Sequence, residues 1–549
     1  MNVSKLIVSS LSRLGVARVY GLIGVSILDL LDAFRESSIR YISTRHEQVA
    51  VSMADAEGRL SHKPGVAVVH AGPGMLNSVI SIAGAYKDSS PLLVIGGGVR
   101  RRMKGLDSWL EVDQASILRP VTKFYARIEK PSETSKVIAE AYSASISPPY
   151  GPAFVEVPED IWEAEAGEEI AEVKPEPPPL PDEEKVSKLV KMLEESYRPL
   201  ILAGGGVNNA EASQYLISVA KANSIPVAIT GNGRGSFPED EDLFVGRAGF
   251  GGGSIVADYA LEEADLVIAV GAGISDVTTY GYLVTPKGKK VAVDLDKLAE
   301  RKPINLSLHL YCDATSFLSI LLNSDIRRTD RREWLEAIAR KKEEWNQMLE
   351  VSAAKSERGY VNPSKFFKRM NSALDEDVII TAGQGVHIVY TYDYLKLRRP
   401  GSFLAATNLG AMGFAFPAAL GAKVSRPENH VIAVLGDGEF LMTLQDLETA
   451  YREKIGVKII VVNDNTYRVL YLRQKLQKMG RLIGTSHSNP DIIKLGEAFG
   501  IDALSIDSDE QIDEGIDFVM KDKRSPSILE LKINPDDVPP LNLEPSSRF

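Results

Sequence analysis

The sequence predicts an α/β protein made of three doubly wound domains, each built on a parallel sheet. Three observations lead there. Apolar, β-branched runs of strand length recur along all 549 residues. Most of them end in glycine-containing polar turns, and amphipathic stretches of helical period separate them.

The first block is 1–172. It opens with Val3, Leu6, Ile7, Leu11 and Leu14 near helical spacing, which predicts an N-terminal amphipathic helix. GVAVVHAG (65–72) and PLLVIGGG (91–98) read as buried strands. VKPEPPPLPDEE (173–184) cannot pack a core and reads as a semi-rigid linker. The second block, 185–324, repeats the theme in PLILAGGG (199–206), PVAIT (226–230), DLVIAVGAG (265–273) and KVAVDLD (290–296). The charged stretch 325–358 predicts an exposed connecting helix. The third block, 360–549, contains DVIITAGQG (377–385), HVIAVLGDG (430–438) and VKIIVVNDN (457–465). Ligands of such sheets bind at the carboxyl ends of the strands. The terminal NPDDVPPLNLEPSSRF (534–549) reads as a lid or a disordered tail.

The composition is 44% hydrophobic and 25% charged, with a net charge of −11. That disfavours nucleic acid and anionic membrane as partners. The single cysteine, Cys312, excludes an intrachain disulfide and a Cys-rich metal site. No signal peptide or long apolar span is evident, so a cytoplasmic location is expected. No G-x-G-x-x-G with a following acidic residue marks a nicotinamide dinucleotide site; GGGVNNAE (204–211) is a poor substitute.

Chemistry concentrates in the third block. Asp437 in Gly436-Asp437-Gly438 and Asp464 in Asn463-Asp464-Asn465 lie 27 positions apart, each after a β-branched run. One right-handed crossover would bring those strand ends side by side. Two oxygen ligands there suit Mg²⁺, which completes its octahedron with water and phosphate oxygens. The glycines and a helix N-terminus suit the phosphates. A tight turn and a polar strand end are the plain alternative. In the first block, Arg45-His46-Glu47-Gln48 follows a short strand, where Glu47 either caps a helix or does chemistry. AGPGMLNS (71–78), Gly383-Gln384-Gly385 and TNLGAMGFAFPAALG (407–421) complete the set.

Taken together, these elements resemble the thiamine diphosphate family of acetolactate synthases, pyruvate oxidases and 2-oxoacid decarboxylases. The resemblance implies that Asp437, the side chain at 464 and the carbonyl of Thr466 bind the metal. This chain has Asp464 where the family usually has Asn, so a one-residue slip to Asn463 or Asn465 stays open. It implies that Glu47 hydrogen-bonds the thiamine pyrimidine and promotes its imino form. Gly72, Pro73 and Asn77 would lie near that ring, and the Gly410 carbonyl would accept from its amino group. Met412 would wedge the cofactor into its bent form, although plain core packing is the alternative. Gly383, Gln384, Gly385, Gly436, Gly438 and Glu439 would line the diphosphate, with Glu439 standing where small residues are usual. In the family Glu47 and the metal site meet across a subunit interface, which implies a homodimer or homotetramer.

The reaction is less determined. The last block looks like an acetolactate synthase acting on a 2-oxoacid such as pyruvate. But Arg468 and Arg473 stand where that pattern has Gly and Trp, and Gly273 stands where it has an Arg beside flavin. The first block, with YGLIGVSILDLL (20–31) and EVDQASILRPVTKFYARI (111–128), looks closer to oxalyl-CoA decarboxylases and 2-hydroxyacyl-CoA lyases. The middle block would then hold an adenine nucleotide in place of FAD. Arg468 and Tyr471 are expected near the substrate, where an Arg suits a carboxylate or phosphate, or else on an exposed helix. Ser26, His70 and Trp109 are candidates from the first block, His70 as a proton shuttle or as a structural histidine.

Overall fold

A computed structural model describes residues 1–297, 300 and 302–540. It contains three six-stranded sheets, parallel throughout. The first comprises β1 (Arg18–Gly21), β2 (Arg40–Ser43), β3 (Gly65–Val69), β4 (Leu92–Gly98), β5 (Phe124–Arg127) and β6 (Pro152–Pro158), in the order β2-β1-β3-β4-β6-β5. The second comprises β7 (Pro199–Ala203), β8 (Val227–Ile229), β9 (Phe244–Arg247), β10 (Leu266–Val270), β11 (Lys289–Val293) and β12 (Leu308–Leu310), in the order β12-β11-β10-β7-β8-β9. The third comprises β13 (Ile379–Ala382), β14 (Phe403–Leu404), β15 (Val431–Gly436), β16 (Lys458–Asn463), β17 (Asp502–Ile506) and β18 (Ser527–Lys532), in the order β14-β13-β15-β16-β18-β17. Helices cover both faces, so central strands such as β3, β7 and β10 are buried at every position. That is why they read as unbroken apolar runs.

The N-terminal helix spans Val3–Arg13 and buries Val3, Leu6, Ile7 and Leu11. The Pro-rich stretch carries no helix or strand until Asp182 caps the helix Glu183–Glu195. The connecting helix runs Arg332–Ala354 and is less exposed than its charge implies. Trp334, Ile338 and Trp345 are buried along one face, and the Trp334 indole donates to the Pro199 carbonyl at 3.0 Å. The charged residues fill the remaining faces, so the charge count concealed the apolar stripe.

Two contacts between domains position the site. The helix Glu47–Ser61 packs on the helix Ala415–Ser425, and their Met53, Ala54, Ala418 and Ala419 share one core. A Cβ on Gly421 would fall 2.2 Å from the Met53 carbonyl oxygen, so glycine sets that close approach. The second and third domains are joined by Arg234, fully buried against Glu239 (2.8 Å) and the carbonyls of Thr391 (2.7 Å) and Leu395 (2.6 Å). Of the C-terminal tail, residues 534–540 fold back on the third domain, and 541–549 lie outside the described residues.

Candidate active site

β15 and β16 pair in parallel with Gly436 opposite Val462, so one crossover sets their carboxyl ends together. Asp437 and Gly438 are not a tight turn. Gly436 has ordinary extended geometry, and Asp437 opens the helix Asp437–Thr443. A Cβ on Gly438 would fall 2.7 Å from the Tyr467 ring. A cleft of about 100 Å³ sits here, with walls that include Gln384, Gly385, Met412, Gly436, Asp437, Gly438, Glu439, Asp464, Thr466 and Arg468. Neither Asn463 nor Asn465 lines it. Asn463 donates to Glu530 at 2.6 Å on the neighbouring strand instead.

The buried Asp437 carboxylate gathers three donors on Oδ2: the Asn465 N–H (2.9 Å), Asn489 Nδ2 (2.6 Å) and His487 Nε2 (3.0 Å). Asp464 accepts from the Thr466 N–H (2.9 Å) and hydroxyl (2.6 Å). Burial pushes the Asp464 carboxyl up to about 6, with the Arg468 charge opposing and Asp437 reinforcing. Among the described residues no three His, Cys, Asp or Glu side chains converge to hold a metal alone. The two carboxylates fit a hard cation that draws its other ligands from a carbonyl, water and phosphate. Buried Gln384 Nε2 and His387 Nε2 have no hydrogen-bond partner among the described residues, so donor capacity for such a group remains. Burial holds His387 down at about 4, hence neutral.

Glu439 is held by converging backbone donors. It is 1% exposed and accepts from the backbone N–H groups of Gln384 (2.8 Å), Phe414 (3.2 Å) and Ala415 (3.3 Å). It ties the Gly383-Gln384-Gly385 turn to the loop that carries Met412. A Cβ on Gly383 would collide with its carboxylate. Burial pushes Glu439 up to about 7 against those donors.

A second cluster forms around Glu47, at the start of its helix. Asn77 Nδ2 donates to Glu47 Oε2 at 3.0 Å. A Cβ on Gly74 would meet both Glu47 Oε1 (3.1 Å) and the His70 side chain (2.9 Å). The Ser26 hydroxyl accepts from the Ala71 N–H (2.9 Å) and meets His70 Nδ1 (2.7 Å). Because the Ser26 N–H also donates to Nδ1 (3.4 Å), Nδ1 is the acceptor and the ring proton sits on Nε2. Burial lowers the His70 pKa, and the Glu47 charge opposes that. Gly72 has φ +63 and lies against the Leu110 carbonyl, with Pro73 opening the next helix. Beside that contact Trp109 stands 75% exposed.

The two clusters are separate within one chain. No residue of the first domain lines the metal cleft. Arg45 and Gln48, flanking Glu47, instead lock onto the third domain through Asp446 (2.8 Å) and the Gly413 carbonyl (3.4 Å). Gly410 has φ +69 and borders open space. Tyr471 donates to Asp536 at 2.9 Å, and Arg468 is buried. Arg473 lies over the Phe250 ring at 5.4 Å, at the second domain. Sequence reasoning missed His487 and Asn489. They reach Asp437 because Thr466 and Ser486 form an antiparallel bridge, a pairing with no local signal.

A larger cavity of about 1200 Å³ opens where the three domains meet, with Gly205, Gly271, Gly273, Asp294, Lys302 and Asp313 among its walls. A Cβ at Gly273 would lie 3.2 Å from Lys302 Nζ. An arginine at 273 would therefore compete with a cation already there.

Comparisons with known proteins give the family of the chain. Models of the thiamine pyrophosphate enzyme match as three domains: the N-terminal TPP binding domain over 1–117, the central domain over 186–321 and the C-terminal TPP binding domain over 383–531. A probable acetolactate synthase large subunit of Methanocaldococcus jannaschii is 33% identical over 98% of this chain and 93% of its own length. The chain belongs to the thiamine diphosphate-dependent acetolactate synthase family. Other relatives include the acetolactate synthase large subunit of Corynebacterium glutamicum, 30% identical over 98% of this chain and 87% of its own. The acetolactate synthase isozyme 2 large subunit of Escherichia coli is 29% identical over 97% and 96%. As a member of this family the protein is a thiamine diphosphate-dependent enzyme acting on small molecules. Among the described residues no helix is long and apolar enough to cross a membrane.

Proposed function

We propose that this enzyme is an Mg²⁺-dependent carboligase of the acetolactate synthase kind that condenses 2-oxoacids such as pyruvate. The observation that carries the reading is the cleft where Asp437, Asp464 and Thr466 face Gln384 and Met412, in a chain whose relatives over nearly full length are named acetolactate synthases. Bound thiamine diphosphate supplies a nucleophilic thiazolium carbon for making or breaking a bond beside a carbonyl. Asp437, the Asp464 side chain and the Thr466 carbonyl hold the cation. Gln384 Nε2 serves a phosphate oxygen, and Glu439 fixes the backbone around it. Met412, in the wall of the cleft, would pack against the cofactor, and Gly410 would offer it a carbonyl. Glu47, oriented by Asn77, would hydrogen-bond the pyrimidine, and His70 Nε2 is placed to donate a proton.

Because Glu47 lies outside the metal cleft of its own chain, a second copy completes the site in a homodimer or homotetramer. Exposed apolar side chains beside Glu47's partners, Leu76 and Ile80 on the Asn77 helix and Ile23 and Val25 before Ser26, suit such an interface. The three-domain cavity takes the adenine-nucleotide portion common to ADP and FAD. Its Gly-rich strand ends suit phosphates, and Asp294 suits a ribose hydroxyl. A cytoplasmic location agrees with the single buried thiol.

Mass spectrometry of products from pyruvate, thiamine diphosphate and Mg²⁺ tests the reaction, and acetolactate is expected. Acetaldehyde as the main product would make it a simple decarboxylase. Absence of turnover would move the substrate to the 2-hydroxyacyl-CoA class.

A further inference from the structure

The metal end of the cleft holds two charged side chains, Asp464 and Arg468, at positions where the family resemblance implies Asn and Gly. The structure joins them. Arg468 opens the helix Arg468–Gln477, one turn beyond Asp464. Its Nε lies 3.6 Å from Asp464 Oδ2, with the two side chains 5% and 4% exposed. Asp464 Oδ1 is committed to Thr466, which leaves Oδ2 to Arg468 and the cleft. Arg468 cannot swing out. Its Nη2 donates to the Tyr390 hydroxyl (3.1 Å) and the Asp537 carbonyl and lies 3.7 Å from the Asp537 carboxylate, which accepts from the Tyr390 hydroxyl at 2.6 Å; the guanidinium lies 5.8 Å from the Tyr390 ring centre.

A second carboxylate adds one negative charge beside a diphosphate that is already anionic, and at low exposure such charges are poorly screened. We propose that Arg468 is a charge-compensating positioning residue: it offsets the added charge of Asp464, so that the two-carboxylate site accepts Mg²⁺ and diphosphate. Arg468 thus acts through Asp464 and does not clamp the substrate carboxylate. This rests on the reading of the cleft as the metal–diphosphate site.

The test is binding of thiamine diphosphate to the full chain, followed by intrinsic tryptophan fluorescence across Mg²⁺ concentrations. It compares wild type, Arg468→Met, Asp464→Asn and the double variant. With Arg468→Met, thiamine diphosphate affinity at saturating Mg²⁺ falls about tenfold or more, since an unbalanced carboxylate repels the phosphates. With Asp464→Asn, the Mg²⁺ needed for half-saturation rises, since an unbalanced guanidinium repels the cation. The double variant returns both quantities to within about threefold of wild type, the signature of a coupled pair. If the double variant binds no better than Arg468→Met, Arg468 touches the bound groups directly and the proposal is overturned. If Arg468→Met does not fold, the Mg²⁺ requirement of Asp464→Asn must still drop when the second change is added; an unchanged requirement overturns the proposal. A wild-type chain that binds no thiamine diphosphate in Mg²⁺ overturns the reading of the cleft itself.

Discussion

Replacing Asp446 with asparagine should change how stability depends on pH. Asp446 is fully buried at the joint between the first and third domains. Its Oδ1 accepts from the Arg45 N–H (2.8 Å) and the Thr449 hydroxyl (2.7 Å), while Oδ2 has no partner among the described residues. Burial pushes the carboxyl from 3.8 up to about 6, against those two donors. Between those values the folded chain keeps a proton that the unfolded chain releases. The favourable contribution is therefore complete below about pH 4 and is lost as pH rises through about 6. A shift of about two units corresponds to about 3 kcal/mol. Asparagine keeps the Oδ1 acceptor and has no charge to desolvate. Glu439 and Asp464 titrate in the same direction in both proteins and cancel in the difference. The stability of Asp446→Asn relative to wild type should thus rise by about 3 kcal/mol from pH 4 to pH 7.5. That is roughly 6–12 °C in Tm for a domain of 150–250 residues. Thermal unfolding at several pH values measures it. A difference that stays constant with pH, or falls, would refute the reasoning.

Glu47→Gln should fold normally, because Oε1 can still accept from Asn77, but should abolish turnover; wild-type rates would remove Glu47 from the chemistry. Arg234→Met leaves the buried Glu239 carboxylate without its cation and should cost about 3–5 kcal/mol, with much of it recovered in Arg234→Met/Glu239→Gln. Thermal unfolding of the three proteins checks this, and equal stability of single and double variants would count against the pair.

The strands were legible because both faces of each central strand are buried, which forces continuous β-branched runs such as GVAVV and VIAVL. That Asp437 and Asp464 follow neighbouring strand ends was legible for a different, equally local reason. A single crossover joins β15 to β16, and local chain geometry puts their ends together. The helix Arg332–Ala354 was legible as an exposed helix, but the buried stripe of Trp334, Ile338 and Trp345 that docks it was not, since charge dilutes it.

What the tertiary structure alone decided depends on contacts distant in sequence. His487 and Asn489 reach Asp437 across about 50 residues through one antiparallel bridge. Glu439 is acceptable in place of a small residue because three backbone N–H groups from two other segments converge on it. No window around GDGE contains that information. Arg468 looked from sequence like either a substrate ligand or a surface charge, and its burial against Asp464, Tyr390 and Asp537 gives it a third place. Period and strand ends are local properties that a sequence carries by itself. The partner of a buried charge is set by where the whole chain folds, because only there is water excluded and a partner required.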